Sequence, residues 1–162
     1  MTEQSGAIFV CHATSDAALA GAFVSLLKAG LEIPRSSIFC SSLLGHGITP
    51  GEDWRAFIRL RLQSSGLGVL LITPALIESS FCGFEIGALW ALGTPILPLR
   101  HPLVPSDKIP DVVHRLQYVG LRDRASLTGL LDKFSRFSTV VPDSGVWVRE
   151  IDRFMEAANG AD

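Results

Sequence analysis

With 162 residues, 48% of them hydrophobic and 19% charged, the chain is long and apolar enough for one globular domain with a sizeable core, and its composition excludes wholesale disorder. A net charge of −2 with no long basic run removes the electrostatic footprint that a nucleic-acid partner requires. Cys11, Cys40 and Cys82 are an odd number with no C-x-x-C pair and no matching histidine spacing, so neither a disulfide framework nor a metal site is expected.

The start, MTEQSG, is too polar for a signal peptide. The apolar residues AIFVC at 7–11 predict a first strand, followed by His12 and a helix carrying Leu19, Phe23, Leu26 and Leu27 on one face. Ser15 or Asp16 is its expected cap and Gly30 its expected end. Residues 36–40, SSIFC, predict a second strand. Residues 41–52, SSLLGHGITPGE, hold three glycines and a proline without a clear period and read as a binding or assembly loop. Asp53 then opens a helix marked by Trp54, Phe57 and Ile58.

Residues 67–73 predict a third strand buried on both faces, and residues 81–92 a helix apolar on every side, in whose stripe Trp90, like Trp54 in the helix before it, is expected to be core. This run is broken by Pro74 and falls short of the ~20 residues that a membrane span needs, so a cytoplasmic protein without a membrane partner is expected. Residues 95–99, PILPL, predict a fourth strand near an edge because of their prolines. Residues 100–110 read as irregular and 117–121, QYVGL, as the last strand. One helix marked by Leu127, Leu130, Leu131 and Phe134, and a final amphipathic helix marked by Trp147, Ile151, Phe154 and Met155, complete a domain expected over 1–158, with a flexible tail at 159–162.

Alternation of strand and helix predicts an α/β protein, a flavodoxin-like three-layer fold with a five-stranded parallel sheet in the order 2-1-3-4-5. Ligands of such sheets bind beyond the carboxyl ends of the strands, at the switch point between strands one and three. That crevice is expected to be lined by residues 12–15, the segment after Thr73 and, on one flank, Ser41 and Ser42, with Glu85 leaning over it.

Glu85 is the residue that demands a reason. It is the one carboxylate in the apolar helix predicted over 81–92, and an unpaired buried carboxylate costs several kcal/mol or takes up a proton. A capping role would need Ser or Thr three residues earlier, where Cys82 stands, so a functional role is preferred.

The stretches IFVCHATSD, IFCSSLLGHGITPGEDW and LLITPALIESSFCGFEIGALWAL resemble the successive boxes of a Toll/interleukin-1 receptor (TIR) domain of the bacterial type, over about the first hundred residues. Members of that family cleave NAD at the nicotinamide–ribose bond or act as assembly scaffolds. The resemblance implies a catalytic role for Glu85, substrate contacts from His12, Ser41, Ser42 and Phe81, and an assembly loop at Gly45, Gly47, Pro50 and Gly51. At Phe81 the family often has Trp, so this chain lacks an indole N–H there. NAD is then the substrate and no cofactor is implied. The products are nicotinamide and either ADP-ribose or its cyclic form. Partners implied are further copies of the chain and a sensor in cis or in trans, with activation by self-assembly in bacterial antiviral defence.

The chemistry agrees with a single acid. Nicotinamide in NAD is already a cationic leaving group, so one carboxylate facing the positive charge on the ribose suffices. A non-catalytic TIR scaffold and a nucleoside deoxyribosyltransferase-like enzyme are the alternatives. A phosphoryl-accepting receiver is excluded, because strand one ends Cys11-His12-Ala13 without an acidic pair.

Overall fold

The computed structural model describes residues 6–40, 51 and 53–160. Five parallel strands, β1 (Ala7–Cys11), β2 (Ile38–Cys40), β3 (Ser65–Ile72), β4 (Ile96–Arg100) and β5 (Val119–Gly120), lie in the order β2-β1-β3-β4-β5. The central strands β1 and β3 alternate their side chains between two cores, which is why their sequences show no polar phase. On one face Ile8, Val10, Val69 and Leu71 meet α1 (Ala17–Leu31) and α8 (Ser144–Asn159). On the other, Phe9, Cys11, Leu70 and Ile72 meet α2 (Trp54–Gln63) and α4 (Ser80–Ala91). The α/β class, the sheet and its order are as expected.

Several local expectations are corrected. Gly30 does not end α1; the helix runs to Leu31 and stops where Glu32 adopts a left-handed φ of 50°. Gly30 serves packing instead, because a Cβ there would meet the Trp147 ring of α8 at 2.8 Å. Pro74 does not merely break a strand: with Thr73 as cap, its side chain accepting from the Leu76 N–H, it starts the short helix α3 (Pro74–Glu78). Strand β4 lies next to the edge, as expected, with the two-residue β5 outside it, paired through Leu99 and Arg100 beyond Pro98. Another short helix, α5 (Asp111–His114), follows the proline-rich segment. The helix marked by Leu127 to Phe134 is two short ones, α6 (Arg124–Thr128) and α7 (Leu131–Ser135), separated at Gly129 and Leu130. Among the described residues no helix is long and apolar enough to cross a membrane.

The β1–β3 pairing carries one irregularity. Ala7 pairs with Ser65 but Ile8 pairs with Leu67, so Gly66 is an extra residue in β3. A Cβ on Gly66 would lie 2.8 Å from the Gly6 backbone nitrogen, a contact that only a backbone shift could relieve. Gly66→Ala is therefore expected to lower unfolding stability by about 1–3 kcal/mol in a denaturant titration, as overpacked sites do. A neutral effect would mean that these two backbones do not approach so closely.

Candidate active site

Helix α4 is held against the sheet by one stripe of residues. Cys82, Glu85, Ile86 and Leu89 recur at helical spacing, and all four are buried. Ser79 caps the helix by accepting from the Cys82 N–H at 3.2 Å. Glu85 thus lies in the second turn and plays no part in capping. The phase of the helix turns its side chain inward, where it is only 2% exposed.

There it meets the carboxyl end of β1. The Cys11 thiol donates to Glu85 Oε2 at 3.0 Å, while Oε1 has no hydrogen-bond partner among the described residues. The Cys82 thiol donates to the His12 carbonyl at 3.3 Å. Burial pushes the Glu85 carboxyl up to about 7; the Cys11 hydrogen bond opposes that shift and the neighbouring Cys82 charge adds to it. Cys82 is drawn down to about 7, chiefly by accepting the Cys11 hydrogen, against the cost of burial. Cys11, serving as donor to Cys82 and buried throughout, is pushed well up and stays a thiol. Near neutral pH the site therefore holds two groups close to their titration points beside a fixed donor.

Glu85 also lines a cavity of about 540 Å³ between α2 and α4, within the size range of small-molecule sites. Its mouth carries the aromatic pair Trp54 and Phe81, with ring centroids 5.0 Å apart, and the exposed Phe84. Arg55 and Arg59 border it, and the Arg55 guanidinium lies 5.5 Å over the Trp54 ring. Asp53 fixes this end of α2 by capping the Arg55 and Ala56 N–H groups.

The expected residues divide accordingly. Glu85 and Phe81 come together in this cavity. His12 is buried beside the cluster; its Nδ1 donates to the Ala13 carbonyl at 2.7 Å, and burial lowers its pKa so that the ring is neutral at physiological pH. Gly51 is exposed with φ of 94°, a conformation that favours glycine. Ser41, Ser42, Gly45, Gly47 and Pro50 lie outside the described residues. Trp54 and Trp90 are not core, being 41% and 60% exposed. A separate cavity of about 230 Å³ at the strand ends is lined by Asp16, Thr73, Pro74 and His101; the Ser41 and Ser42 flank of the expected crevice lies outside the described residues. All three cysteines are buried and outside any disulfide, but Cys11 and Cys82 take part in the Glu85 network, which sequence spacing did not reveal.

The shifted Glu85 makes stability depend on pH. Its folded pKa of about 7 exceeds the ordinary 4.5, so between those values the folded chain holds the proton more tightly than the unfolded one. Its contribution is fully present below 4.5 and lost as pH rises through about 7. The loss is on the order of 3 kcal/mol at most. Glu85→Gln cannot ionise and still accepts from Cys11, so its melting temperature is expected to exceed that of the parent at pH 8. That advantage should shrink towards pH 5. Equal melting differences at both pH values would show that Glu85 does not titrate in the fold.

A family model described as "TIR domain" matches residues 8–133. No curated protein matches the chain.

Proposed function

This chain belongs to the TIR domain family, which includes both NAD-cleaving enzymes and assembly scaffolds, and we propose that it is an NAD glycohydrolase acting through Glu85. The observation that carries the reading is a buried carboxylate with one unpartnered oxygen in the lining of a cavity with an aromatic and cationic mouth. That combination matches the chemistry of NAD. The Trp54–Phe81 pair offers faces to a flat pyridinium or adenine ring, Arg55 and Arg59 offer positive charge to a diphosphate, and Glu85 offers an acceptor to ribose hydroxyls. Trp54 also supplies, from α2, the indole that Phe81 lacks.

In this reading the C1′–N1 bond breaks with its electron pair going to nicotinamide, which leaves neutral. The positive charge that this creates on the ribose faces the Glu85 carboxylate, and water adds at C1′, losing a proton to solvent and giving ADP-ribose. Attack by the adenine ring in place of water gives the cyclic product. The Cys11 thiol holds Glu85 Oε2, and Oε1, which has no partner among the described residues, is the oxygen this reading assigns to the ribose. Nicotinamide needs no protonation, so no second acid is required.

Only ionised Glu85 can perform this role. Cleavage is therefore expected to rise with pH through about 7 and then level off, in line with the raised carboxyl. Glu85→Gln should fold and lose ~10²-fold or more of the rate. Chromatography of NAD and nicotinamide on one concentrated preparation, with a melting curve alongside, checks both. A well-folded Glu85→Gln protein that releases nicotinamide at the parent rate sinks the assignment.

Trp54→Ala is expected to raise KM for NAD several-fold with a smaller change in kcat, since a stacking surface binds ground and transition states alike. An unchanged KM would remove Trp54 from the substrate site.

A scaffold reading has its own observation: Phe84 and Trp90 on α4 are 75% and 60% exposed, an apolar surface suited to contact between copies of the chain. It predicts concentration-dependent self-association that Glu85→Gln leaves intact, and no NAD loss at any concentration. The two readings are compatible if assembly activates cleavage, in which case activity per molecule climbs with concentration. Action in antiviral defence inside the cytoplasm, with a sensor in cis or in trans, belongs to the same proposal.

A further inference from the structure

The glycosidase chemistry uses one carboxylate, yet two sulfurs stand beside it. The ligand atoms of Cys11, Cys82 and Glu85 all lie within 4.8 Å of one another, and all three residues are buried. They come from distant parts of the chain: Cys11 precedes Glu85 by 74 residues and closes β1, whereas Cys82 and Glu85 are neighbours on the inward stripe of α4. A second feature points to a ligand. Glu85 is 2% exposed, and its Oε1 has no partner among the described residues, which is costly for a buried oxygen.

The donor set selects the cation. Two thiolates and one carboxylate suit a soft or borderline ion, whereas calcium and magnesium require a shell of oxygens. With zinc–sulfur bonds of about 2.3 Å, two sulfurs on one tetrahedral ion sit about 3.8 Å apart, a span that fits the cluster. Three protein ligands leave the fourth position to water, and Glu85 is the member of the cluster that also lines the cavity between α2 and α4.

We propose that Cys11, Cys82 and Glu85 form a binding site for a thiophilic divalent cation of the zinc class, which occupies Glu85 in competition with substrate. The ion displaces the thiol hydrogens to solvent and changes no oxidation state. It bonds the Glu85 carboxylate, so that carboxylate no longer faces a ribose. The binding half of the proposal stands apart from NAD chemistry; the competition half rests on the glycohydrolase reading.

The test uses the full chain, treated with chelator and titrated with cobalt(II) alone. One equivalent is expected to give a near-ultraviolet thiolate-to-cobalt charge-transfer band that one equivalent of zinc bleaches. Cys40→Ala should keep the band, and Cys82→Ala and Cys82→Ser should lose it, with circular dichroism confirming that each is folded. Zinc-edge X-ray absorption on the parent protein needs no variant and should count two sulfur neighbours. Absence of the band, survival of the band in a folded Cys82→Ala protein, or fewer than two sulfurs overturns the site. On the same preparation zinc should abolish NAD cleavage and chelator should restore it; stoichiometric zinc with undiminished cleavage overturns the competition. If the parent never cleaves NAD, it is the glycohydrolase reading that fails, while cobalt and X-ray absorption still decide the metal site.

Discussion

The structure depends on how closely α4 can lie on β3. Gly68 allows it: a Cβ there would sit 2.6 Å from Leu89 Cδ1. Once Leu89 is seated on the sheet, the helical period settles the rest, because residues three, four and seven positions earlier share its face. Those are Ile86, Glu85 and Cys82. Glu85 is therefore buried by the phase of its helix, and nothing short of rotating α4 off its apolar contacts would return it to water. The position of the carboxylate follows from packing, and its chemistry follows from its position.

Burial alone would neutralise a carboxylate. What stands against that here is a single thiol, a weak donor compared with a guanidinium or a backbone N–H. Cys11 offers enough to orient Oε2 but too little to restore the ordinary pKa, and Cys82 draws on the same hydrogen. An arginine in place of Cys11 would keep Glu85 charged at every physiological pH and would also occupy the oxygens a substrate needs. A leucine would leave both oxygens stranded. The thiol is a compromise that leaves one oxygen available, at a cost in stability typical of sites kept for function.

Glu85 was legible in the sequence because a single charge within an apolar run is an anomaly that needs no knowledge of the fold. The five strands were legible for a related reason, since short apolar runs bounded by turn residues in regular alternation with helices leave few alternatives. The failures have physical causes. Trp54 and Trp90 stand in helices rich in apolar residues, and such a pattern does not say which side faces the sheet; in α4 the seating of Leu89 on Gly68 leaves Trp90 on the exposed side. Gly30 looked like a helix end because glycine often is one, whereas its missing side chain makes room for Trp147 from a helix more than a hundred residues later. The Cys11–Glu85 contact had no local signal at all, because the two residues stand 74 positions apart and meet only when α4 packs across the sheet onto β1.

The topological rule points to the carboxyl ends of β1 and β3, and two cavities lie near them. Beyond the carboxyl ends of β1 and β3, Thr73 donates to the Asp16 carboxylate, and α3 begins at once on Thr73, beside the smaller cavity. The larger cavity lies to one side, between α2 and α4, and reaches β1 through the Glu85–Cys11 contact rather than over the strand ends. A ligand entering there meets aromatic rings and arginines before it meets the carboxylate. Under the proposed function this order suits a substrate with a flat cationic ring and a diphosphate, because the groups assigned to binding lie at the mouth and the carboxylate assigned to the chemistry lies where water is scarce. In such a site each charge on the substrate is felt more strongly than it would be at the surface. In the proposed glycohydrolase, the same burial that makes Glu85 costly to the fold is what would let one carboxylate work without a second.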